Sequence, residues 1–263
     1  MKLLICFLFT LFTTITLSQA LQGDFTVLTY NIYHGANPND AGKTNLKEIA
    51  NLIMDLKPDF VALQEIDSMT LRSQEIFGRK VDIMQKLAAM TGYTGFFAKA
   101  MNFSEGGYGE GLLVKGEASF YPQQLSIPAG GEPRSAVWAK ISLGNGREFL
   151  VGGTHLCHQF EENRSAQVRD LLSYSQSRAL PILLMGDFNF SPNSSSYDLI
   201  PDNWGDAALD FEPKTPTYGN AETGERIDYI FYDKEQFEIL DYKVITVPYS
   251  DHFPVWSKIR MKR

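Results

Sequence analysis

The sequence predicts a single α/β domain in which two β-sheets pack against each other and helices lie outside them. Three observations support this fold class. Short apolar runs typical of strands alternate with a few segments of helical period, and strands outnumber helices. No change in composition divides the 263-residue chain. The residues are 44% hydrophobic and 21% charged, which is ordinary for a globular protein, so one layered domain is expected.

Three segments have the periodicity of amphipathic helices. Residues 45–56 carry apolar side chains three and four positions apart, and Lys57-Pro58 is expected to end this helix. Residues 81–90 form a second helical segment, which Thr91-Gly92 should end. Residues 162–174 form the third.

The remaining apolar runs are strand-like and are separated by Gly, Pro and polar turns. Residues 60–63 and 182–185 are short continuous apolar runs, as expected of strands that are covered on both faces. The other predicted strands cover residues 25–30, 94–98, 111–114, 118–125, 135–141, 148–154, 227–232, 242–247 and 255–259.

The first twenty residues have the order of a secretory signal peptide. Lys2 precedes an apolar stretch over residues 3–17, and a small-polar-small triplet ends at Ala20. An uncleaved membrane anchor is the alternative, but the stretch contains several Thr and is short for a bilayer span. We therefore expect cleavage after Ala20, with residues 21–263 exported to the periplasm or the medium and no transmembrane anchor left.

Cysteine content and charge narrow the function classes. Cleavage would remove Cys6 and leave Cys157 alone, so an internal disulfide is not expected. The formal net charge is −7 and the pI about 5.2. A protein that holds a polyanion over a broad face usually has a basic excess, which argues against a tight sequence-specific DNA reader. A nuclease is not excluded, because bound divalent cations can supply positive charge.

Residues of catalytic or metal-binding type lie at the ends of six apolar runs. Carboxylates are rarely buried unless they are paired or bound to a cation. Functional groups also gather on loops that a rigid sheet supports. We therefore expect the six clusters to meet on one rim of the sandwich, with His34 close by. The clusters are Tyr30-Asn31, Gln64-Glu65, Thr154-His155, Gly186-Asp187-Phe188-Asn189, Arg226-Ile227-Asp228 and Ser250-Asp251-His252.

With their flanking residues, from Thr29-Tyr30-Asn31 to Ser250-Asp251-His252-Phe253-Pro254-Val255, these clusters resemble the motifs of the endonuclease/exonuclease/phosphatase superfamily. That family includes DNase I, abasic-site endonucleases, neutral sphingomyelinases and inositol polyphosphate 5-phosphatases. The motifs occur in family order between about Phe25 and Arg260, and the ordered set is more specific than any single motif. The resemblance implies a DNase I-like four-layer α/β sandwich, which agrees with the fold class above.

The resemblance also implies metal-dependent phosphoester hydrolysis. Glu65 resembles the principal ligand of a catalytic Mg²⁺, for which Mn²⁺ is a candidate substitute. Asp251 resembles a second carboxylate near the metal, and Asn31 is expected to contact the metal or the scissile phosphate. Mg²⁺ suits this set because it prefers one or two carboxylates together with water and phosphate oxygens.

Acid–base roles are implied in the same way. Asp187 resembles the group that orients or deprotonates the attacking water, and Asn189 resembles a donor to the phosphate. His252 is expected to bind a phosphoryl oxygen in its protonated form. Asp228 would orient it, because a carboxylate fixes the tautomer and raises the pKa of a paired imidazole. His155 resembles the second active-site histidine of DNase I and the sphingomyelinases.

Three further residues follow from the comparison with DNase I. There, the second histidine pairs with a glutamate in a Tyr-x-Glu sequence, and Tyr108-Gly109-Glu110 lies in the corresponding region. Glu110 is therefore the expected partner of His155, and Tyr108 an expected substrate contact. Arg134, just before the predicted strand at residues 135–141, resembles a phosphate-contacting arginine. His158 is interpreted as a surface or supporting residue.

The family acts on nucleic acids, lipids and phosphorylated sugars, so the fold does not determine the substrate. Substrate selection is expected in the segment between Glu65 and Tyr108. This segment contains Thr70, Arg72 and Ser73 and resembles small bacterial metal-dependent hydrolases. It lacks the basic and aromatic interleaving of surfaces that stack nucleotides. The sequence favours a phosphomonoester or phosphodiester of a small molecule or lipid headgroup, acted on by a monomer. A DNase I-like nuclease and an inactive phospho-ligand-binding domain are the alternatives.

Overall fold

The computed structural model describes residues 24–211 and 215–262. Within them, two six-stranded mixed sheets pack face to face and a small number of helices flank them, which confirms the predicted α/β sandwich. No helix in these ranges combines the length and apolarity needed to cross a bilayer. The expected signal peptide at residues 1–20 lies outside the described residues and stays a prediction.

The first sheet is built around a parallel pair of strands whose neighbours are antiparallel. The parallel pair is β1 and β2, and helix α1 (Leu46–Leu56) makes the crossover between them. In spatial order, the sheet consists of β11 (Phe237–Val244), β12 (Val255–Met261), β1 (Asp24–Asn31), β2 (Phe60–Ser68), β4 (Gly106–Val114) and β3 (Thr94–Phe103).

The second sheet repeats this plan. Its parallel pair is β7 and β8, joined by the long helix α4 (Glu161–Arg178), and its other neighbours are antiparallel. The carboxyl ends of both parallel pairs carry sequence motifs. In spatial order, the sheet consists of β5 (Ser119–Gln124), β6 (Ser135–Ser142), β7 (Glu148–His155), β8 (Ile182–Asp187), β10 (Asp228–Asp233) and β9 (Trp204–Asp206).

Three apolar cores separate four layers. The inter-sheet core contains Phe25, Phe60, Phe149 and Phe237, whose rings lie 5.4 to 6.0 Å apart. A second core joins the outer face of the first sheet to α1 and to helix α3 (Ile83–Thr91). A third joins the outer face of the second sheet to α4. Both motif-bearing strand pairs are therefore buried on two faces, which holds their ends in fixed positions.

The predicted helices and strands are present, with shifted ends. The largest strand shift concerns β11. It starts five residues before the start of the predicted strand at residues 242–247 and ends three residues before the end of that strand. Strands β2, β3 and β4 are longer than predicted. One strand and one α-helix were not predicted, namely β9 and the helix α2 (Leu71–Phe77). With seven residues, α2 is too short to show a helical period, and it depends on the side chain of Thr70, which caps the N–H of Ser73.

Candidate active site

The rim where the carboxyl ends of the two parallel pairs meet gathers the motif residues. Asn31 ends β1 and Asp187 ends β8, and the amide nitrogen of Asn31 donates to Oδ2 of Asp187 at 3.0 Å. This hydrogen bond joins the two sheets at the site. The loop before β12 is tied to the same place, since the Ser250 hydroxyl donates to the Asn31 carbonyl at 2.7 Å. The six clusters therefore converge, as the sequence led us to expect.

A β-bulge aims Glu65 at the rim. The register between β2 and β4 shifts between Leu63 and Ile66, so two residues of β2 face one residue of β4. Glu65 lies in this bulge with a φ of 61°, a left-handed conformation that is uncommon for a residue other than glycine. A regular strand would place successive side chains on opposite faces, and the bulge breaks that alternation. The strained backbone is thus part of how the carboxylate is presented.

Contacts around Glu65 keep its carboxylate ionised. Its Oε1 accepts from the Asn31 amide at 3.2 Å, and its Oε2 lies 3.4 Å from Nδ1 of His34 in an ion-pair contact. Burial would raise the pKa of Glu65, but His34, His155 and Asn31 outweigh it and lower the pKa to about 2.

Asp251 completes a set of hard oxygen donors beside Glu65. Burial raises the pKa of Asp251 and the negative charge of Glu65 adds to the rise, although His252 opposes it. Asn31 adds an amide group at the same place. Two carboxylates and an amide fit Mg²⁺ or Mn²⁺ by ligand type, since these ions prefer oxygen ligands.

A second cluster, Asp187, Asp228 and His252, also brings three potential ligand atoms within 4.8 Å of one another. We interpret it as a proton-handling cluster rather than a metal centre. Nδ1 of His252 lies 2.9 Å from Oδ2 of Asp228, and a carboxylate only accepts, so this nitrogen carries a proton. Burial lowers the pKa of His252, but Asp228 and Asp187 outweigh it and raise the pKa to about 10. A histidine that is protonated at neutral pH is a poor metal ligand.

Asn31 supports this protonation state. Its amide nitrogen has two hydrogens, and the carboxylates of Glu65 and Asp187 accept them. Nε2 of His252 lies 3.3 Å from the same nitrogen and 3.6 Å from Oδ2 of Asp187. With both amide hydrogens used, Nε2 is free to keep its own proton and to present it toward Asp187 and the open rim.

Asp187 is fully enclosed by these groups. Burial and the charge of Asp228 raise the pKa of Asp187 to about 7, although His252 and Asn31 oppose the shift. Its Oδ1 accepts from the backbone N–H of Asn189 at 3.0 Å. Asn189 has a left-handed φ of 51°, and its amide donates to the Leu156 carbonyl. A carboxyl with a pKa near neutrality, surrounded by donors, is suited to accepting a proton from water.

His155 is a neutral donor to Asp187. Nη1 of Arg134 lies 3.3 Å from Nδ1 of His155, and a guanidinium only donates, so Nδ1 must be the unprotonated nitrogen. The proton is then on Nε2, which lies 3.3 Å from Oδ2 of Asp187. Burial and the charge of Arg134 hold the pKa of His155 well below its usual range.

The expected pairing of Glu110 with His155 is not formed. Glu110 lies inside β4 rather than before it, and it points between the sheets, where it contacts the hydroxyl of Ser135 in β6. Burial raises the pKa of Glu110 to about 8, although Ser135 and Arg134 oppose the shift. The position that the glutamate was expected to fill beside His155 is taken by Arg134.

Arg134 and Tyr108 also differ from their expected placement. Arg134 is buried, and its guanidinium contacts Glu132 at 2.7 Å, His158 at 3.0 Å and His155. Tyr108 is buried and shares a hydrogen bond with Arg134. In this structure both side chains lie behind His155, so they support the histidine from the protein side instead of facing a substrate. His158 is exposed and touches Arg134, which agrees with a supporting role.

Two residues of the site were given no role in the sequence analysis, although His34 was expected near the rim. His34 touches Glu65, and Tyr218 lies over the ring of His252 with the ring centroids 4.7 Å apart. Tyr218 is 40% exposed, and its loop is fixed by a backbone hydrogen bond from Gly219 to Asp251. Sequence order could point to His34, three residues after Asn31, whereas a tyrosine in a polar loop gives no comparable signal.

The sandwich and its rim of carboxylates and histidines define a protein of the DNase I-like class. A model of the Endonuclease/Exonuclease/phosphatase family matches residues 28–252, and the chain belongs to this family. No curated protein matches the chain in sequence.

Solved structures similar to this chain are related by fold at low identity. An endonuclease/exonuclease/phosphatase family protein from Bacteroides thetaiotaomicron is 21% identical, with a TM-score of 0.75 over 92% of this chain and 100% of that one. A mannosyl-6-phosphatase from the same organism is 22% identical, with a TM-score of 0.72 over 89% and 99%. The human Nocturnin catalytic domain with bound sulfate is 23% identical, with a TM-score of 0.71 over 92% and 96%.

Proposed function

We propose that the protein is a divalent-metal-dependent phosphoesterase that hydrolyses a phosphomonoester or phosphodiester of a small molecule or lipid headgroup. The observation that carries the proposal is the setting of Asp187, a buried carboxyl whose Oδ2 lies 3.3 Å from Nε2 of His155 and 3.6 Å from Nε2 of His252. It is held between neutral His155 and protonated His252, beside the donor set of Glu65 and Asp251. These groups match the requirements of attack by water on phosphorus.

Each residue has a defined task in this mechanism. Asp187 accepts a proton from the attacking water, and His155 holds that carboxylate in place through its Nε2–H. His252 donates from Nε2 to a phosphoryl oxygen, with its charge stabilised by Asp228 at 2.9 Å. Glu65, Asp251 and Asn31 would hold the Mg²⁺ or Mn²⁺ ion, which supplies charge neutralisation on the phosphate and the leaving oxygen.

The proposed substrate class rests on the net charge of the chain and on its structural similarity to a known phosphatase. A net charge of −7 gives a long polyanion little electrostatic attraction, because non-specific DNA binding comes mainly from Lys and Arg displacing counterions. A mannosyl-6-phosphatase is also among the structures that are similar to this chain. Small phosphoesters therefore suit this chain better than duplex DNA, and a DNase I-like activity is the competing outcome of the test. The predicted signal peptide would place the activity outside the cytoplasm.

A substrate comparison tests the proposal. The purified protein is assayed in one Mg²⁺ buffer at physiological salt on hexose 6-phosphates, bis-p-nitrophenyl phosphate, sphingomyelin, inositol phosphates and supercoiled plasmid. Asp187→Asn, prepared in parallel, controls for a contaminating hydrolase. We expect a higher kcat/KM per scissile bond on a small or lipid-derived ester than on plasmid. Efficient plasmid nicking without turnover of the other substrates would decide for a nuclease.

A further inference from the structure

Arg72 is held in one orientation by a buried carboxylate. Nε and Nη2 of Arg72 donate to the two oxygens of Asp67 at 2.8 and 2.7 Å. Asp67 is fully buried in β2, and the Thr70 hydroxyl donates to it at 2.8 Å. Such a two-point pair fixes the plane of the guanidinium as well as its position.

Two aromatic rings lie against the same guanidinium. Its central carbon lies 4.5 Å from the ring centroid of Phe103 and 5.2 Å from that of Tyr108, both on the hairpin formed by β3 and β4. The hairpin is fastened to the start of α2, because the Leu71 N–H donates to the Ser104 carbonyl at 2.8 Å. Gly106 allows this approach, since a Cβ there would overlap the backbone carbonyl of Ser68.

One nitrogen of the Arg72 guanidinium, Nη1, remains available to bind a ligand. The Arg72 side chain is 28% exposed, and Nη1 has no hydrogen-bond partner within residues 24–211 and 215–262. Fixed donors that face solvent lose little side-chain entropy when they bind an acceptor, so they are effective recognition groups. If Arg72 only stabilised the packing of α2 on the hairpin, the two nitrogens that bind Asp67 would be sufficient, and a free Nη1 would not be needed.

The neighbours of Arg72 connect it to the active site. Asp67 follows Glu65 by two residues in β2, immediately after the bulge, and the charge of Glu65 acts on Arg72. On the other side, Tyr108 contacts Arg134, which in turn contacts His155. Arg72 is thus linked through β2 to the strand that carries Glu65, the proposed cation ligand, and through Tyr108 to Arg134 and His155.

The charge balance decides what Arg72 can recognise. Asp67 compensates its positive charge, so a second phosphate on the substrate would gain little attraction there. Its outward N–H groups still donate in a fixed direction, which suits neutral acceptor oxygens such as hydroxyls. We infer that Arg72 is a specificity-determining residue that binds hydroxyl oxygens of the leaving group, and that the preferred substrates are phosphate esters of sugars or similar polyols. The inference rests on the proposed phosphoesterase function and narrows its substrate.

Two variants separate recognition from folding. Arg72→Lys keeps a cation next to Asp67 but removes the outward donors. Asp67→Asn/Arg72→Met removes both buried charges together and so leaves neither unpaired. Lys80→Met serves as the matched control, because Lys80 forms an ion pair with Glu105 at the tip of the same hairpin, 2.8 Å apart. Thermal melting confirms that each variant is folded.

The kinetic test compares two monoesters with the same phosphate. Mannose 6-phosphate and glucose 6-phosphate have hydroxylated leaving groups, whereas p-nitrophenyl phosphate does not. Both Arg72 variants should lower kcat/KM for the hexose phosphates by about tenfold or more, mainly through KM, since hydrogen bonds from charged donors are lost. For p-nitrophenyl phosphate the change should stay below about twofold, and Lys80→Met should match wild type on both esters. Equal losses on both esters, or no loss on either, would overturn the inference.

A binding measurement separates this inference from the proposed function. Calorimetry compares mannose 6-phosphate with inorganic phosphate on wild type and on Arg72→Lys. Wild type should bind the sugar phosphate more tightly than phosphate, and Arg72→Lys should lose that difference. If wild type hydrolyses neither ester but this difference is found, the proposed activity fails, and what stands is the recognition of sugar hydroxyls by Arg72. If wild type hydrolyses p-nitrophenyl phosphate without any such difference, the activity stands and the inference fails.

Discussion

Asp228→Asn tests the electrostatics of the site at a single atom pair. Oδ2 of Asp228 accepts the proton of Nδ1 of His252 at 2.9 Å, and both side chains are buried. Asparagine has nearly the same shape and can still accept this hydrogen bond through its amide oxygen, so the ring keeps its orientation. The substitution removes the negative charge that contributes most to raising the pKa of His252.

The magnitude follows from the type of bond. A hydrogen bond between charged partners contributes about 1.5 to 3 kcal/mol, and about 1.4 kcal/mol corresponds to one pH unit. The titration midpoint of His252 should therefore fall by about one to two pH units. The drop is partial because Asp187 also raises this pKa.

The sign of the effect on stability can be stated. The folded pKa of His252 is about 10, above its unfolded value of 6.5. Its contribution to folding is then fully present below pH 6.5 and is lost as the pH rises through 10. Asp228→Asn should lower the pH at which this contribution is lost and should leave unchanged the pH of 6.5 below which it is fully present.

NMR titration of histidine labelled with ¹⁵N measures the midpoint directly, and His252→Asn assigns the resonance among four histidines. Asp241→Asn, which changes a more exposed carboxylate in β11, should leave the midpoint unmoved. A His252 midpoint that is unchanged or higher in Asp228→Asn would refute the assignment of its charge to this carboxylate.

Three further predictions address the cation, the chemistry and a buried acid. Chelation with EDTA should abolish activity and Mg²⁺ or Mn²⁺ should restore it, because Glu65 and Asp251 offer hard oxygen ligands; full turnover in EDTA after dialysis would contradict this. Asp187→Asn and His252→Ala should each lower kcat at least about a hundredfold with unchanged melting, and near wild-type turnover would exclude that residue from the mechanism. Glu110 has a folded pKa of about 8 against 4.5 unfolded, so its stabilising effect is present below pH 4.5 and is lost as the pH rises through 8. Glu110→Gln should flatten this dependence and be the more stable protein at pH 8.5, by up to a few kcal/mol in urea unfolding; parallel pH profiles would argue against a protonated Glu110.

The layered fold and the convergence of the motifs were predictable because both depend on local pattern. Residues such as Asn31 and Asp187 end apolar runs, and a run buried on both faces has few places to put a carboxylate except its end. The bulge at Glu65 was not predictable, since a glutamate with positive φ contradicts the local preference of its residue type. The contacts of the Glu65 side chain are with His34 and Asn31, which are distant in sequence.

Glu110 shows where resemblance alone misleads. Its distance in sequence from Tyr108 matches the DNase I pattern. However, β4 begins at Gly106, four residues before Glu110, so Glu110 lies inside the strand and not in the loop before it. Inside a strand the side-chain direction is fixed by the pleat, and at Glu110 it points to Ser135 of the facing sheet. A sequence motif records spacing, whereas the pairing of a side chain depends on strand boundaries that the motif does not contain.

The division of the site between two sheets explains why its electrostatics depend on packing. Asn31 and Glu65 come from the first sheet, and His155 and Asp187 from the second, so the bond from Asn31 to Asp187 exists only when the sheets are docked. That bond uses an amide hydrogen that would otherwise be available to His252. Docking of the sheets therefore sets which nitrogen of the site keeps a proton, and it brings the cation ligands to the proton acceptor in the same step. Catalytic competence and the closed inter-sheet core are, on this geometry, properties of one folded state.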